Sequence, residues 1–198
     1  MYNLVVPFEN VYNGERRTLS TNMHKGDNMD LQKRPYQIFA IDPGNEKSAY
    51  CVMWDDYTLA EFAKLPNKEV MEKMLDWLER DCGPREVVIE RMMNYSNNVG
   101  QTVFLTCEWI GRFSQEAEKY VPVKYLFRKD EKMYLCQTMK ANDSAIRHAL
   151  IDRFAKHDHV RGTGTKKDPD VLYGMAHDCW SATAIAVTRL DMIKEEER

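Results

Sequence analysis

Two short apolar runs in this chain each end in a carboxylate, and a third carboxylate precedes a run of small residues. The first run is Gln37-Ile-Phe-Ala-Ile-Asp42, and the second is Val87-Val-Ile-Glu90. The third acid, Asp178, lies just ahead of an alanine-rich segment with the character of a helix. A carboxylate at the end of a buried strand is costly to desolvate, so it usually has a cation or a reaction partner.

The three acids come from separate segments and offer only oxygen ligands, which suit Mg²⁺ or Mn²⁺. The sequence gives little support for a zinc site, because the five cysteines are widely spaced and form no C-x-x-C pair. His157-Asp158-His159 is more typical of a solvated helix end than of a metal cluster. The pattern therefore predicts a two-metal phosphoryl-transfer site, with Asp42, Glu90 and Asp178 as catalytic residues and metal ligands.

Each acid also has a simpler interpretation. Asp42 with Pro43 and Gly44 could be only a turn, and Glu90 could pair with Arg91 or a lysine. Asp178 could be the N-cap of the last helix, where aspartate is common. The combination of all three acids in this order favours the metal site.

The apolar periodicity predicts a single α/β domain over residues 36–198. Residues 1–35 are polar and are predicted to be a flexible or loosely docked N-terminal extension without catalytic content. Strands are predicted at 38–41, 48–54, 59–65, 86–90 and 123–127, and helices at 68–80 with Asn67 as its cap, 99–117, 142–154 and 176–193.

These segments together resemble the RuvC-type branch of the RNase H-like superfamily, in particular the Holliday junction resolvases of bacteriophages. The resemblance covers about residues 36–191. It rests on Ala40-Ile41-Asp42-Pro43-Gly44, on Val87-Val88-Ile89-Glu90, and on Asp178 followed by Trp180-Ser181-Ala182 and Ala184-Ile185-Ala186.

The resemblance implies an α/β RNase H-like fold, with a central five-stranded mixed sheet flanked by helices. It also implies a structure-selective endonuclease that cuts four-way (Holliday) or related branched DNA. It implies that Asp42 and Glu90 share two divalent ions, Mg²⁺ or Mn²⁺, and that Asp178 holds one of them. One ion would activate the attacking water and the other would stabilise the leaving 3′-oxygen. Symmetric cutting implies a homodimer, for which the helix at 99–117 is a plausible interface because Phe104, Trp109 and Phe113 leave apolar bulk outside its main face.

The sequence departs from the family pattern at one position. RuvC-type resolvases usually carry a further acid or histidine one helical turn before the final aspartate, where this chain has Met175 and Gly174. The candidates for the missing ligand are nearby: Asp170 and His177 lead, and Asp168 is a further one. The alternative is that His177 is a surface residue at the helix start and Asp170 caps a turn.

Residues 119–167 carry a net charge of +7 within a chain of net charge −3, so the remainder carries −10. A basic stretch beside acidic metal ligands is the pattern of a phosphate-binding face, although a solvated surface could give the same clustering. Tyr95, Asn97 and Asn98 follow the Glu90 strand, where an aromatic ring could wedge into an opened base step or be an ordinary half-buried tyrosine. The predicted phosphate contacts are Lys124, Arg128, Lys129, Lys132, Lys140, Arg147, Arg153, Arg161, Lys166 and Lys167.

The sequence contains no apolar run of about 18 residues that would span a membrane and no signal-peptide pattern at its start. With cysteines typical of reduced thiols, it is expected in the cytoplasm of a bacterial or phage-infected cell. Three other functions remain open. They are an actin-like or sugar-kinase ATPase, which would need a second duplicated domain; a catalytically silent junction-binding protein; and another RNase H-like nuclease acting on RNA–DNA hybrids or ribosomal RNA.

Overall fold

The computed structural model describes residues 8–12, 15–19, 35–80, 83, 85–93 and 100–198. Within the predicted N-terminal extension, two strands, β1 (Phe8–Tyr12) and β2 (Glu15–Leu19), pair in antiparallel fashion. The sequence analysis did not predict this hairpin, because its strands are largely polar and lack a clear apolar alternation. That the extension is flexible or loosely docked stays a prediction.

A mixed five-stranded sheet forms the centre of the domain, as predicted. Its strand order is β5-β4-β3-β6-β7, so β3 lies in the middle. β3 pairs with β4 in antiparallel and with β6 in parallel fashion, β5 continues the antiparallel side, and β7 continues the parallel side. The strands are β3 (Gln37–Asp42), β4 (Lys47–Trp54), β5 (Leu59–Pro66), β6 (Arg85–Glu90) and β7 (Val123–Leu126).

The register of the central parallel pair places two of the predicted acids together. Ile41 lies opposite Ile89, and Asp42 and Glu90 are the next residues of their strands. Carboxyl ends of neighbouring parallel strands share one edge of a sheet, so both carboxylates emerge at the same edge.

Helices cover both faces of this sheet. Side chains alternate along β3, and Phe39 and Ile41 pack against α1 and α2, whereas Ile38 and Ala40 pack with residues of α4 and α5. No helix in the described part of the chain has the length and apolar character needed to cross a membrane. The helices are α1 (Asn67–Glu79), α2 (Gln101–Ala117), α3 (Arg128–Cys136), α4 (Asp143–Phe154) and α5 (Cys179–Glu196).

The small residues of α5 let this helix lie closely against the sheet. Ala182, Ala184 and Ala186 are fully buried, and α5 contacts both β3 and β4. A helix with larger side chains at these positions would lie farther from the strands. The close packing brings Asp178, immediately before α5, towards the sheet edge that carries Asp42.

The structure corrects two local predictions and adds one helix. Asn67 is the first residue of α1 and not its N-cap, a position that Pro66 occupies. Phe113 is fully buried in the core, so it is not apolar bulk outside the main face of α2; Trp109 packs against it, and Phe104 is 61% exposed. The helix α3 was not predicted, because its residues are mostly polar. At the start of the predicted helix 142–154, Asn142 caps α4, with its side-chain oxygen accepting the Ala145 N–H at 2.9 Å.

Candidate active site

Asp42 ends β3 beside a turn that a buried polar network holds in place. The Gly44 N–H donates to Ser48 Oγ at 3.1 Å, the Ser48 hydroxyl donates to Asn67 Oδ1 at 2.6 Å, and Asn67 Nδ2 donates to the Gly44 carbonyl at 2.9 Å. Glycine is required at position 44, because a Cβ there would lie 2.2 Å from the Lys47 carbonyl oxygen. These three hydrogen bonds therefore fix the backbone that follows Asp42.

The carboxyl groups of Asp42 and Glu90 interact closely at the sheet edge. Burial, followed by the charges of Glu90 and Asp178, raises the pKa of Asp42 to about 8. Burial also raises the pKa of Glu90, although the Arg128 guanidinium and a hydrogen bond from Asp42 oppose this change. Two adjacent, partly desolvated carboxylates that lack a cation keep a proton between them, because both cannot be charged at low cost.

Asp178 precedes α5 and faces the same edge, but its carboxylate forms an ion pair with Lys64 of β5. It occupies the N-cap position of α5 without a side-chain capping bond. Its charge still raises the pKa of Asp42. As the side chains stand, the described residues contain no group of three or more acidic, histidine or cysteine side chains arranged to hold a metal ion. Asp178 would have to leave Lys64 to join a cation.

Glu131 of α3 is an acid that the sequence analysis did not associate with the site. It is 0% exposed, and one carboxylate oxygen, Oε2, accepts a hydrogen bond from Arg128. Burial and then the charge of Glu90 raise the pKa of Glu131 well above its ordinary value, although Arg128 opposes the change. In the sequence Glu131 is only one of the five acids within the basic stretch 119–167. Recognising α3 directly after β7 would have placed it near the sheet edge.

Arg128, the first residue of α3, is the cation whose charge acts on Asp42, Glu90 and Glu131. It forms ion pairs with Glu131 and with the exposed Asp143. Its charge lowers the pKa of both Asp42 and Glu90. The residue predicted to contact a DNA phosphate is thus held by carboxylates in this structure.

The two leading candidates for a fourth metal ligand have other surroundings. His177 is exposed and has a φ of 48°, and Met175, at the position of the missing family ligand, is buried. The Asp170 carboxylate is buried and organises the loop before α5. It accepts hydrogen bonds from the backbone N–H groups of Lys156, His157, Asp158 and Val171. A ligand role for either residue stays a prediction.

Apart from Arg128, the predicted DNA-contacting residues divide into three groups. Arg153 donates two hydrogen bonds to Asp191, at 2.7 and 2.8 Å, and Lys132 is half-buried. Tyr95, Asn97 and Asn98 lie outside the described residues. The remaining basic side chains are exposed: Lys124, Lys129, Lys140, Arg147, Arg161, Lys166 and Lys167.

The mixed sheet, its flanking helices and the acids at one edge define a fold of the RNase H-like class. Within this class the fold is RuvC-like. RuvC from T. thermophilus in complex with a Holliday junction substrate superposes with a TM-score of 0.57 at 16% identity, over 81% of this chain and 96% of that chain. A second Thermus thermophilus RuvC structure gives a TM-score of 0.56 at 17% identity, with the same coverage. Comparison with protein-family models and with curated protein sequences gave no match.

Proposed function

We propose that this chain is a structure-selective DNA endonuclease that resolves four-way or related branched DNA by divalent-ion-dependent hydrolysis of a phosphodiester bond. The observation that carries the proposal is the half-buried pair of Asp42 and Glu90 at the shared end of two parallel strands, with Asp178 close enough to affect it. The RuvC-like fold supports it, since a solved protein with this fold is described in complex with a Holliday junction substrate.

The residues at this edge fit a hard divalent cation. Asp42 and Glu90 are half-buried, repel each other as anions and have Asp178 nearby, so a cation would replace the proton that the pair retains. Asp42, Glu90 and Asp178 would hold Mg²⁺ or Mn²⁺, and two ions per site are proposed. Such ions acidify a bound water and stabilise a leaving 3′-oxygen. The task of the protein is to keep these carboxylates ionised and fixed in position.

The exposed basic side chains support phosphate contacts along the DNA backbone. We propose this role for all the predicted contacts, and those of Arg128 and Arg153 require exchange of their carboxylate partners. Phosphate contacts position a protein on DNA. Selectivity for a branch additionally requires a protein surface that contacts more than one arm of the junction. Tyr95, Asn97 and Asn98, next to Glu90 in the sequence, are proposed to contact bases at the branch point.

A homodimer is part of this proposal, because symmetric resolution of a junction requires two active sites. Phe104 on α2 supports α2 as the interface, since this large apolar side chain is 61% exposed. Sedimentation equilibrium of the parent and of Phe104→Ser tests this point. A dimer that Phe104→Ser dissociates is expected, and a parent that stays monomeric with bound junction would contradict it.

The decisive experiment compares cleavage of a four-way junction, a flap, an RNA–DNA hybrid and a linear duplex with Mg²⁺ or Mn²⁺. We expect the parent to cut the junction in preference to the duplex. Asp42→Asn should fold and bind the junction without cutting it, because it removes only the charge at the strand end. Asp152→Asn, an exposed aspartate of α4, is the matched control and should cut normally.

The other outcomes identify the alternatives. Preferential cutting of the hybrid would assign the site to another RNase H-like nuclease. Junction binding by the parent without any cutting in either metal would indicate a catalytically silent binding protein. Normal cleavage by Asp42→Asn would refute the proposed site itself.

A further inference from the structure

The fourth acid of the site has a candidate that lies outside the segment before Asp178. Glu131 lies on α3, whose first residue follows β7 within two positions, and β7 is the parallel neighbour of β6. The end of β7 pairs with the end of β6, since Leu126 lies opposite Glu90. The chain therefore enters α3 directly beside the sheet edge where Asp42 and Glu90 emerge.

The carboxylate of Glu131 has one satisfied and one unsatisfied oxygen. Oε2 accepts the hydrogen bond from Arg128, whereas Oε1 is buried and has no hydrogen-bond partner among the described residues. A buried carboxylate oxygen without a donor carries the full cost of desolvation. A salt bridge that served only to stabilise α3 would gain from a second donor at this oxygen.

The unsatisfied oxygen belongs to a group that interacts with the site acids. The charges of Glu90 and Asp42 both act on Glu131, and Glu90 is the largest charge effect on it. Arg128 lies among these groups, with one ion pair to Glu131 and one to Asp143, and its charge also acts on Glu90. A single guanidinium thus compensates several acids where a divalent cation would supply more charge.

We propose that Glu131 is a fourth acid of this site and supplies an oxygen ligand to a divalent cation, in the place that the missing acid before Asp178 leaves open. This inference rests on the proposed function, because it assumes that Asp42 and Glu90 bind such a cation. The cation is of the hard, oxygen-preferring class, Mg²⁺ or Mn²⁺. Arg128 holds the Glu131 carboxylate while no ion is bound.

The test measures binding of Mn²⁺ to the DNA-free protein by isothermal titration calorimetry, and by the electron paramagnetic resonance signal of free Mn²⁺. Glu131→Gln keeps the shape of the side chain and removes its charge. We expect it to fold with an unchanged or higher Tm and to bind Mn²⁺ at least tenfold more weakly. The control is Asp143→Asn, which removes the other, exposed carboxylate partner of Arg128. Its affinity for Mn²⁺ should be within about twofold of that of the parent.

Three other results are informative. Equal Mn²⁺ affinity in Glu131→Gln and parent, with a lowered Tm in the variant, would overturn the inference and leave Glu131 as a structural salt-bridge partner. If Glu131→Gln does not fold, the double variant Arg128→Met with Glu131→Gln removes the pair together and is compared with Arg128→Met. Equal affinity of these two variants would likewise overturn the inference. A parent that binds no Mn²⁺ would instead refute the metal dependence of the proposed function.

Discussion

Lys64 on β5 forms an ion pair with Asp178 at the start of α5, although 114 positions separate them in the sequence. The pair lies at the sheet edge that carries Asp42. It neutralises the one site acid that is substantially exposed, with 47% of its side chain accessible. In the ion-free protein Lys64 therefore pairs with a carboxylate that a divalent cation would need as a ligand.

We predict that Lys64→Gln strengthens Mn²⁺ binding to the DNA-free protein. The variant removes a competing cation from Asp178, and exposed ion pairs contribute up to about 1 kcal/mol, which corresponds to at most about a fivefold gain in affinity. Calorimetric titration with Mn²⁺ measures it. Lys73→Gln, which removes the Lys73 partner of Glu61 at 3.0 Å, is the control and should leave the affinity unchanged. Weaker Mn²⁺ binding in Lys64→Gln would contradict the competition.

The raised pKa of Asp42 predicts how stability depends on pH. The pKa of Asp42 is about 8 in the folded protein and 3.8 in the unfolded chain, so the folded protein keeps this proton to a higher pH. Between these values the native state binds more protons than the unfolded state, so stability falls as pH rises. Asp42→Asn removes this loss. Without divalent ions we expect it to be more stable than the parent at pH 8, by about 1–3 kcal/mol, and similar to it at pH 4.

Urea unfolding at pH 4, 6 and 8 in the presence of a chelator measures this dependence. The expected gain is smaller than the pKa difference alone implies, because Glu90 can keep the shared proton when Asp42 is replaced. Asp152→Asn provides the control, with no pH-dependent gain. An Asp42→Asn protein that loses stability at pH 8 relative to the parent would show that Asp42 is charged and paired in the ion-free fold.

Asn67 is predicted to matter for catalysis through the turn after Asp42. Asn67→Ala removes the donor to the Gly44 carbonyl and the acceptor of the Ser48 hydroxyl, both in buried surroundings. We expect a loss of about 2 kcal/mol in unfolding free energy and at least a tenfold loss in junction cleavage. Asn142→Ala, which removes the cap of α4, should cost about 1 kcal/mol and leave cleavage intact. If both variants cleave the junction equally well, the turn after Asp42 does not contribute to catalysis.

The basic side chains predict salt-dependent DNA binding. Lys166 and Lys167 are exposed in the loop before α5, and their joint replacement by Ala should weaken binding to every DNA. The slope of log affinity against log salt should decrease by up to about 2. Fluorescence anisotropy with junction and duplex at several salt concentrations measures both effects. Replacing Lys68 and Lys73 of α1 provides the charge-matched control. A parent affinity independent of salt, or equal for junction and duplex, would contradict the proposal.

The apolar runs of the sequence determined the central architecture. β3 and β6 are buried on both faces, so continuous Ile, Val and Phe residues predicted them, and the carboxylates at their ends were predicted with them. The alanine-rich segment predicted the last helix, and its small side chains are buried against the sheet. These features depend on local sequence patterns, which is why the strands and helices around the site could be predicted from the chain alone. The RuvC-like arrangement of these elements was predicted from their resemblance to a known family.

The tertiary structure alone decided which polar groups meet at the site. Glu131 lies on a mostly polar helix, so apolar periodicity could not mark α3, and only the path out of β7 brings Glu131 near Glu90. Asn67 resembles a helix cap in the sequence, yet the hairpin of β4 and β5 brings it to Gly44. Lys64 and Asp178 meet only because α5 folds back over the sheet. Polar contacts of this kind depend on distance in space, and no local pattern of the sequence encodes that distance.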